Sequence, residues 1–277
     1  MEKLQLTAPQ LAFFDTFGYL SLPGLLDDCI DALTEAFEAV WVERQRGYDG
    51  RPPDGTQRAC IVPFADQHER LCALLDDPRI EGLLSSLLGA DFNYMGSDGN
   101  YYVGDTGWHS DGWREPGKPL FVKVALYLDP LQRDNGCLRV IPGSHQLLDR
   151  YGGGLEDGLR KAREEWCMDG SEVPAVALET QPGDVVVFNH NLKHASFGGG
   201  QRRRMFTLNN CQRIPRDQLQ VLKDYIGAHA RYFIERHYGE KMVKTAGPKR
   251  MVHLEQVLEN DGHLAALTAR ARAERTT

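Results

Sequence analysis

Two hydrophobic periods divide the chain. Up to about residue 90, apolar side chains recur every three or four positions, the spacing that gathers them on one face of an α-helix. Thr7 with Gln10 three residues on makes a capping-box pattern, and Leu11, Phe14 and Phe17 carry the helical spacing to a stop at Gly18. A short strand is predicted over 19–22. After Asp27, the positions Ile30, Leu33, Phe37 and Trp41 mark a second amphipathic helix. Ile80, Leu83, Leu84, Leu87 and Leu88 mark a third behind Pro78, with Gly89 placed to cap its C-terminus. From residue 91 the period changes. Segments near 92–95, 100–104, 120–128, 137–141, 175–179, 184–188 and 204–210 are short, rich in Val, Tyr, Phe and Leu, and punctuated by Gly, Pro, Asp and Asn, which predicts an all-β core. Residues 149–167 interrupt that core, starting with a predicted Gly-rich bend (Gly152, Gly153, Gly154) and continuing as a charged helix-like run; so long an insertion is expected to cover a site as a lid. Beyond Pro215 the helical spacing returns, with Leu222, Ile226 and Phe233 on one stripe and a polar, Ala-rich tail. No repeat or linker breaks the chain, so one domain over 1–277 is expected: helical at 1–90, β at 91–210 and helical again at 215–277.

Composition narrows the function classes. In 277 residues, 42% apolar and 26% charged residues describe an ordinary globular protein. The longest apolar runs, such as VALYL at 124–128, fall far below the ~18 residues that span a bilayer. The N-terminus has no basic stretch leading into an apolar one, so no membrane segment and a cytoplasmic location are expected. Six cysteines lie scattered without a CxxC pair, which argues for reduced thiols over a disulfide frame or a thiolate zinc site. A net charge of −7 repels phosphate backbones, so nucleic acid is excluded as a partner. A small-molecule substrate remains, and nothing in the pattern sets an oligomeric state.

Candidate chemistry sits at three places. His109 and Asp111 form an HxD pair; in an extended strand both side chains reach the same face and can serve one ion. Gln181–Phe188 reads as a turn feeding a buried strand, with His194 shortly after it. Two histidines and a carboxylate from separate strands make the facial triad of non-haem Fe(II), which leaves positions open for a bidentate 2-oxo acid and for O2. Such a site needs a cation for the far carboxylate of the oxo acid. Arg202, Arg203 and Arg204 stand at the start of the next strand, where a guanidinium can make two hydrogen bonds to it. Alternation groups Arg203 with Met205 and Thr207 on one face, and Arg204 with Phe206 and Leu208 on the other; the first register is favoured and the second is the competitor. His190 and His194 also make an HxxxH spacing. It lacks the Glu a zinc protease needs as base, and the Val-rich lead-in favours a strand end.

These features resemble the phytanoyl-CoA dioxygenase family of Fe(II)/2-oxoglutarate oxygenases, which includes ectoine hydroxylases and many natural-product hydroxylases. The resemblance rests on FFDTFGYLSLPGLL near the N-terminus, WHSDG around the HxD pair, NGCLRVIPGSH from Asn135 to His145, and PGDVVVFNHNLKHAS from Pro182 to Ser196 with RRMFTLN behind it. It implies a double-stranded β-helix, the jelly-roll or cupin architecture, as the core between N- and C-terminal helices. It also implies iron ligation by His109, Asp111 and His194. The cofactor set is then Fe(II), 2-oxoglutarate and O2, with Arg203 or Arg204, Lys123 and Tyr127 as cosubstrate-binding candidates. Trp113, Arg114 and Tyr102 are the substrate-binding candidates. The chain departs from the family pattern at Gly198, Gly199 and Gly200, where an Asn is common, and its arginines fall closer to His194 than is usual. Asp111 fills the place that a small residue takes in related halogenases. The implied activity is hydroxylation of a C–H bond of a small organic substrate with release of succinate and CO2. The rivals are a non-catalytic cupin-like binding protein and a metal enzyme on the same barrel that needs no 2-oxoglutarate.

Overall fold

The computed structural model describes residues 3–112, 117–148 and 150–276. Its strands, in chain order, are β1 (Tyr19–Leu22), β2 (Ala59–Ile61), β3 (Asn93–Tyr94), β4 (Gly99–Tyr102), β5 (Thr106–His109) and β6 (Phe121–Tyr127). There follow β7 (Leu138–Val140), β8 (Val176–Leu178), β9 (Val185–Asn189), β10 (His194–Ser196) and β11 (Arg203–Cys211). They pair into a seven-stranded sheet of order β1-β9-β6-β11-β4-β2, with β3 joined to β11, and a four-stranded sheet of order β5-β10-β7-β8. The two sheets face one another as the predicted jelly roll. β2 escapes the sequence pattern because Ala59–Ile61 is too short to show a period.

Burial explains why the strands of the large sheet are apolar on both faces. On one face Val124, Leu126, Val185, Val187, Phe206 and Leu208 pack against helix residues such as Phe37 and Leu33. On the other, Ala125, Tyr127, Val186 and Phe188 meet Leu138 and Val140 of the small sheet. Each fully buried Val, Leu or Phe contributes about 1.5–3 kcal/mol, so a one-residue slip of any of these strands would be costly.

The predicted N-terminal helices form at Ala8–Phe17, Ile30–Arg44 and Pro78–Leu88. Thr7 and Gln10 make the reciprocal capping box, and Gly18 ends the first helix at φ 85°. Two expectations fail. Gly152–Gly154 do not bend the chain but lie inside the helix Arg150–Arg160. Glycine is needed there for close approach: a Cβ on Gly152 would come 2.3 Å from the Gln146 carbonyl oxygen. Phe233 leaves the stripe of Leu222 and Ile226, because the helix Leu219–Ala228 tightens into a 3₁₀ turn at His229–Tyr232 and Phe233 caps it at φ 60°. Among the described residues no helix is long and apolar enough to cross a membrane.

Candidate metal and cosubstrate site

Strand register builds the metal site. β10 pairs antiparallel with β5 so that His194 lies directly across from His109, and the imidazole centroids stand 4.2 Å apart. The chain then turns at Ser110, and the backbone N–H groups of Asp111 and Gly112 both donate to the His190 carbonyl at 2.8 Å. This brings one Asp111 oxygen to 3.7 Å from His109 Nε2 and the other to 3.6 Å from His194 Nε2. The candidate ligand atoms of all three residues fall within 4.8 Å of one another.

The donor chemistry fits a divalent ion of the iron type. His109 Nδ1 lies 2.8 Å from the Gly107 carbonyl and His194 Nδ1 2.8 Å from the Leu192 carbonyl. A carbonyl only accepts, so each Nδ1 carries a proton, and in the neutral imidazole Nε2 is then the nitrogen left to ligate an ion. Burial pushes His194 down to about 3, keeping it neutral. Burial opposes ionisation of Asp111, but the charge of Lys123, foremost among its neighbours, outweighs it and holds the carboxyl well below its usual range. Two imidazoles and one carboxylate are the donor set of a facial triad.

The triad opens on a cavity of about 530 Å³ between the sheets. Lys123 Nζ reaches Asp111 Oδ2 at 2.5 Å. Tyr127 and Tyr102 line the cavity wall, and burial pushes the Tyr102 hydroxyl up to about 12. Arg203 points inward from β11. Its guanidinium donates to the carbonyls of Gly136 and Gly104 and to Ser196 Oγ, while its buried Nε has no partner among the described residues. Glycine is required around it: Gly136, at φ 100°, and Gly199 would each bring a Cβ to 2.6 Å from a guanidinium nitrogen. The run of three glycines thus accommodates the shortened turn after His194.

Arg204 must be removed from the cosubstrate set. Alternation turns it to the opposite face, where it binds Asp129 with Nη2–Oδ1 at 2.6 Å and Glu38 at 2.9 Å. Trp113 and Arg114 lie outside the described residues. His190 sits in a turn, not on a helix, with its Nε2 buried and unpartnered.

The expected lid also moves. None of the described residues of 150–167 lines the cavity. Leu159 and Ala162 pack with Trp108, Ala195 and Phe197 on the outer face of the small sheet. From there Glu156 accepts a 3.3 Å hydrogen bond from Ser110 Oγ and stands 4.0 Å from Lys193 Nζ. Ser110 lies between His109 and Asp111, and Lys193 precedes His194, so the insertion braces the ligand strands from behind. The cavity is walled instead by Tyr225, His229, Arg231 and Tyr232 from the C-terminal part and by Arg58 from the N-terminal part. Sequence reasoning missed Ser196, Arg58 and Asp98. Only Ser196 carried a local signal, standing two residues beyond His194 on the same strand face.

Comparison with known proteins agrees with this architecture. Residues 14–205 match the family described as Phytanoyl-CoA dioxygenase (PhyH). The chain is 26% identical over 231 residues to 2-aminoethylphosphonate dioxygenase from Uncultured bacterium HF130_AEPn_1, covering 75% of this chain and 82% of that one. It is 27% identical over 219 residues to ectoine dioxygenase from Sphingopyxis alaskensis, covering 70% and 71%. The crystal structure of apo EctD from S. alaskensis superposes with a TM-score of 0.58 at 25% identity, over 75% of this chain and 77% of that one. With a match across more than half its length and the HxD…His residues in place between two antiparallel sheets, the chain belongs to the phytanoyl-CoA dioxygenase family.

Proposed function

We propose that the protein is an Fe(II)- and 2-oxoglutarate-dependent dioxygenase that hydroxylates a C–H bond of a small organic substrate, releasing succinate and CO2. The observation that carries this reading is the convergence, in one cavity, of His109, Asp111 and His194 with the inward-facing Arg203. When bound, the iron couples oxidative decarboxylation of 2-oxoglutarate to oxidation of the substrate. The chain's own residues position the reactants. His109, Asp111 and His194 hold the ion on one side, which leaves its cavity side open. Arg203 pairs with the far carboxylate of 2-oxoglutarate, with Ser196 and Tyr127 beside it. A charged pair of this kind in a half-buried cavity is stronger than in water, because the guanidinium is already oriented by its carbonyl partners. Lys123 supplies positive charge next to Asp111. A reducing, cytoplasmic setting fits the six free cysteines.

The test is addition of Fe(II) and 2-oxoglutarate under anaerobic conditions, followed by oxygen. A weak visible charge-transfer band and then succinate are expected. No band with retained ligand binding would favour a non-catalytic cupin-like protein, and metal-dependent turnover without 2-oxoglutarate would favour an isomerase or hydrolase on the same barrel.

A further inference from the structure

The charges of the cavity wall are not all consumed by the metal and the cosubstrate. Asp111 belongs to the triad and Arg203 faces the cosubstrate end. That leaves Asp98, Lys123, Arg58 and Arg231. Asp98 accepts from Asn100 Nδ2 at 2.5 Å and from Thr207 Oγ1, and Lys123 is the largest favourable influence on its charge. Lys123 is already paired with Asp111 at 2.5 Å, so Asp98 is shared between Lys123 and Arg58. Arg58 and Arg231 together exceed that one carboxylate, so the wall keeps a net positive charge beyond the metal and cosubstrate end.

Neither guanidinium is ion-paired to a carboxylate among the described residues. Arg58 donates through Nε to Asn100 Oδ1 at 2.9 Å, and its Nη2 meets only Cys60 Sγ at 3.9 Å. Its guanidinium carbon lies 4.4 Å from the centre of the Tyr102 ring, over which Arg203 also lies at 5.5 Å. Arg231 lies 4.7 Å from the centre of the Tyr232 ring and donates to that hydroxyl at 2.7 Å. Stacking on an aromatic face fixes the plane of a guanidinium while leaving its N–H edge free for an oxyanion. In a chain of net charge −7, a wall where two arginines face the single carboxylate of Asp98 is a local reversal of sign, and a concave wall focuses such a field on an incoming ligand.

We propose that Arg58 and Arg231 form an acid subsite, so that the substrate is a small molecule bearing a carboxylate or phosphonate held away from the metal. This rests on the dioxygenase reading only for the word substrate; the subsite itself is a binding claim. The probes are 2-aminoethylphosphonate, β-alanine and ethanolamine, which keep one ammonioethyl frame while the terminal group is a phosphonate, a carboxylate or a neutral hydroxyl. Calorimetry on the Fe(II)- and 2-oxoglutarate-loaded protein without oxygen reads their affinities, and the visible band reads the cosubstrate separately. At least one acid is expected to bind at least tenfold more tightly than ethanolamine, with Arg58→Gln and Arg231→Gln each weakening it about tenfold, and Arg58→Lys less. The comparison of the two acids decides between phosphonate and carboxylate. The proposal is overturned if neither acid binds, if ethanolamine binds equally well, or if Arg58→Gln weakens the 2-oxoglutarate band rather than the acid. Absence of the band in the unaltered protein would sink the dioxygenase reading alone, since acid binding would still be measured.

Discussion

The two sheets contribute to the site in opposite ways. The small sheet is built of short strands and carries both histidine ligands, His109 on β5 and His194 on β10, set opposite each other by backbone pairing. The large sheet contributes cations and hydroxyls: Arg203 and Thr207 on β11, Lys123 and Tyr127 on β6, Tyr102 on β4. On the proposed reading, one sheet offers ligands to a cation and the other offers partners to anions. We propose that metal retention and anion recognition are largely separable here, although Lys123 of the large sheet reaches Asp111 and Ser196 of the small sheet reaches Arg203.

The largest expected effect breaks the small-sheet side. Removing one of three protein ligands leaves the ion weakly held and wrongly disposed, so Asp111→Ala or His194→Ala should abolish 2-oxoglutarate turnover with an unchanged far-ultraviolet circular dichroism spectrum. Near-normal turnover in either variant would show the site to be misassigned. Next comes the large sheet. Arg203→Ala should raise the apparent 2-oxoglutarate requirement at least tenfold, the loss of a charged contact of ~2–5 kcal/mol, while iron binding measured by equilibrium dialysis stays within about twofold. If iron binding falls as steeply as cosubstrate affinity, the two sheets are not separable. A smaller effect tests the brace: Glu156→Ala should speed iron loss to a chelator several-fold, the order expected for a second layer of ligand support, and should reduce hydroxylation and uncoupled decarboxylation together. A selective loss of hydroxylation would instead restore the insertion as a cover over the substrate. The smallest effect belongs to Arg204. Arg204→Ala should lower stability by ~1 kcal/mol, read from chemical denaturation, as a partly exposed pair with Asp129 is lost, and should leave the 2-oxoglutarate requirement unchanged.

Much of this was legible because strands have a period of two. Alternation favoured Arg203 over Arg204 without deciding between them, since both faces of a covered strand can be apolar; the structure puts Phe206 and Leu208 under the helices and pairs Arg204 with Asp129 and Glu38 on that side. The capping box at Thr7 and the stop at Gly18 were local signals with local outcomes. The glycines at 152–154 misled because the same residue serves a bend and a close helix contact, and only the Gln146 carbonyl, brought near by folding, decides between them. Glu156, Arg58 and Asp98 had no pattern to announce them. Glu156 acts across 46 positions to Ser110, and Arg58 joins the cavity only because β2 pairs with β4, so their roles arise from tertiary contacts.

The wall formed by Tyr225, His229, Arg231 and Tyr232 has a consequence for how such a chain can diversify. The family match ends at residue 205, after every triad residue and Arg203 but before this wall. Substitutions in the helix Leu219–Ala228 and the turn His229–Tyr232 can reshape the outer cavity without disturbing the His194–His109 strand pair. A new ligand preference is therefore expected to be reachable by exchanging a short C-terminal segment, provided Tyr225, which packs through Phe121 toward His190, is kept; grafting residues 219–232 between relatives is the direct trial of that evolutionary route, and loss of the Fe(II)–2-oxoglutarate band in the graft would refute it.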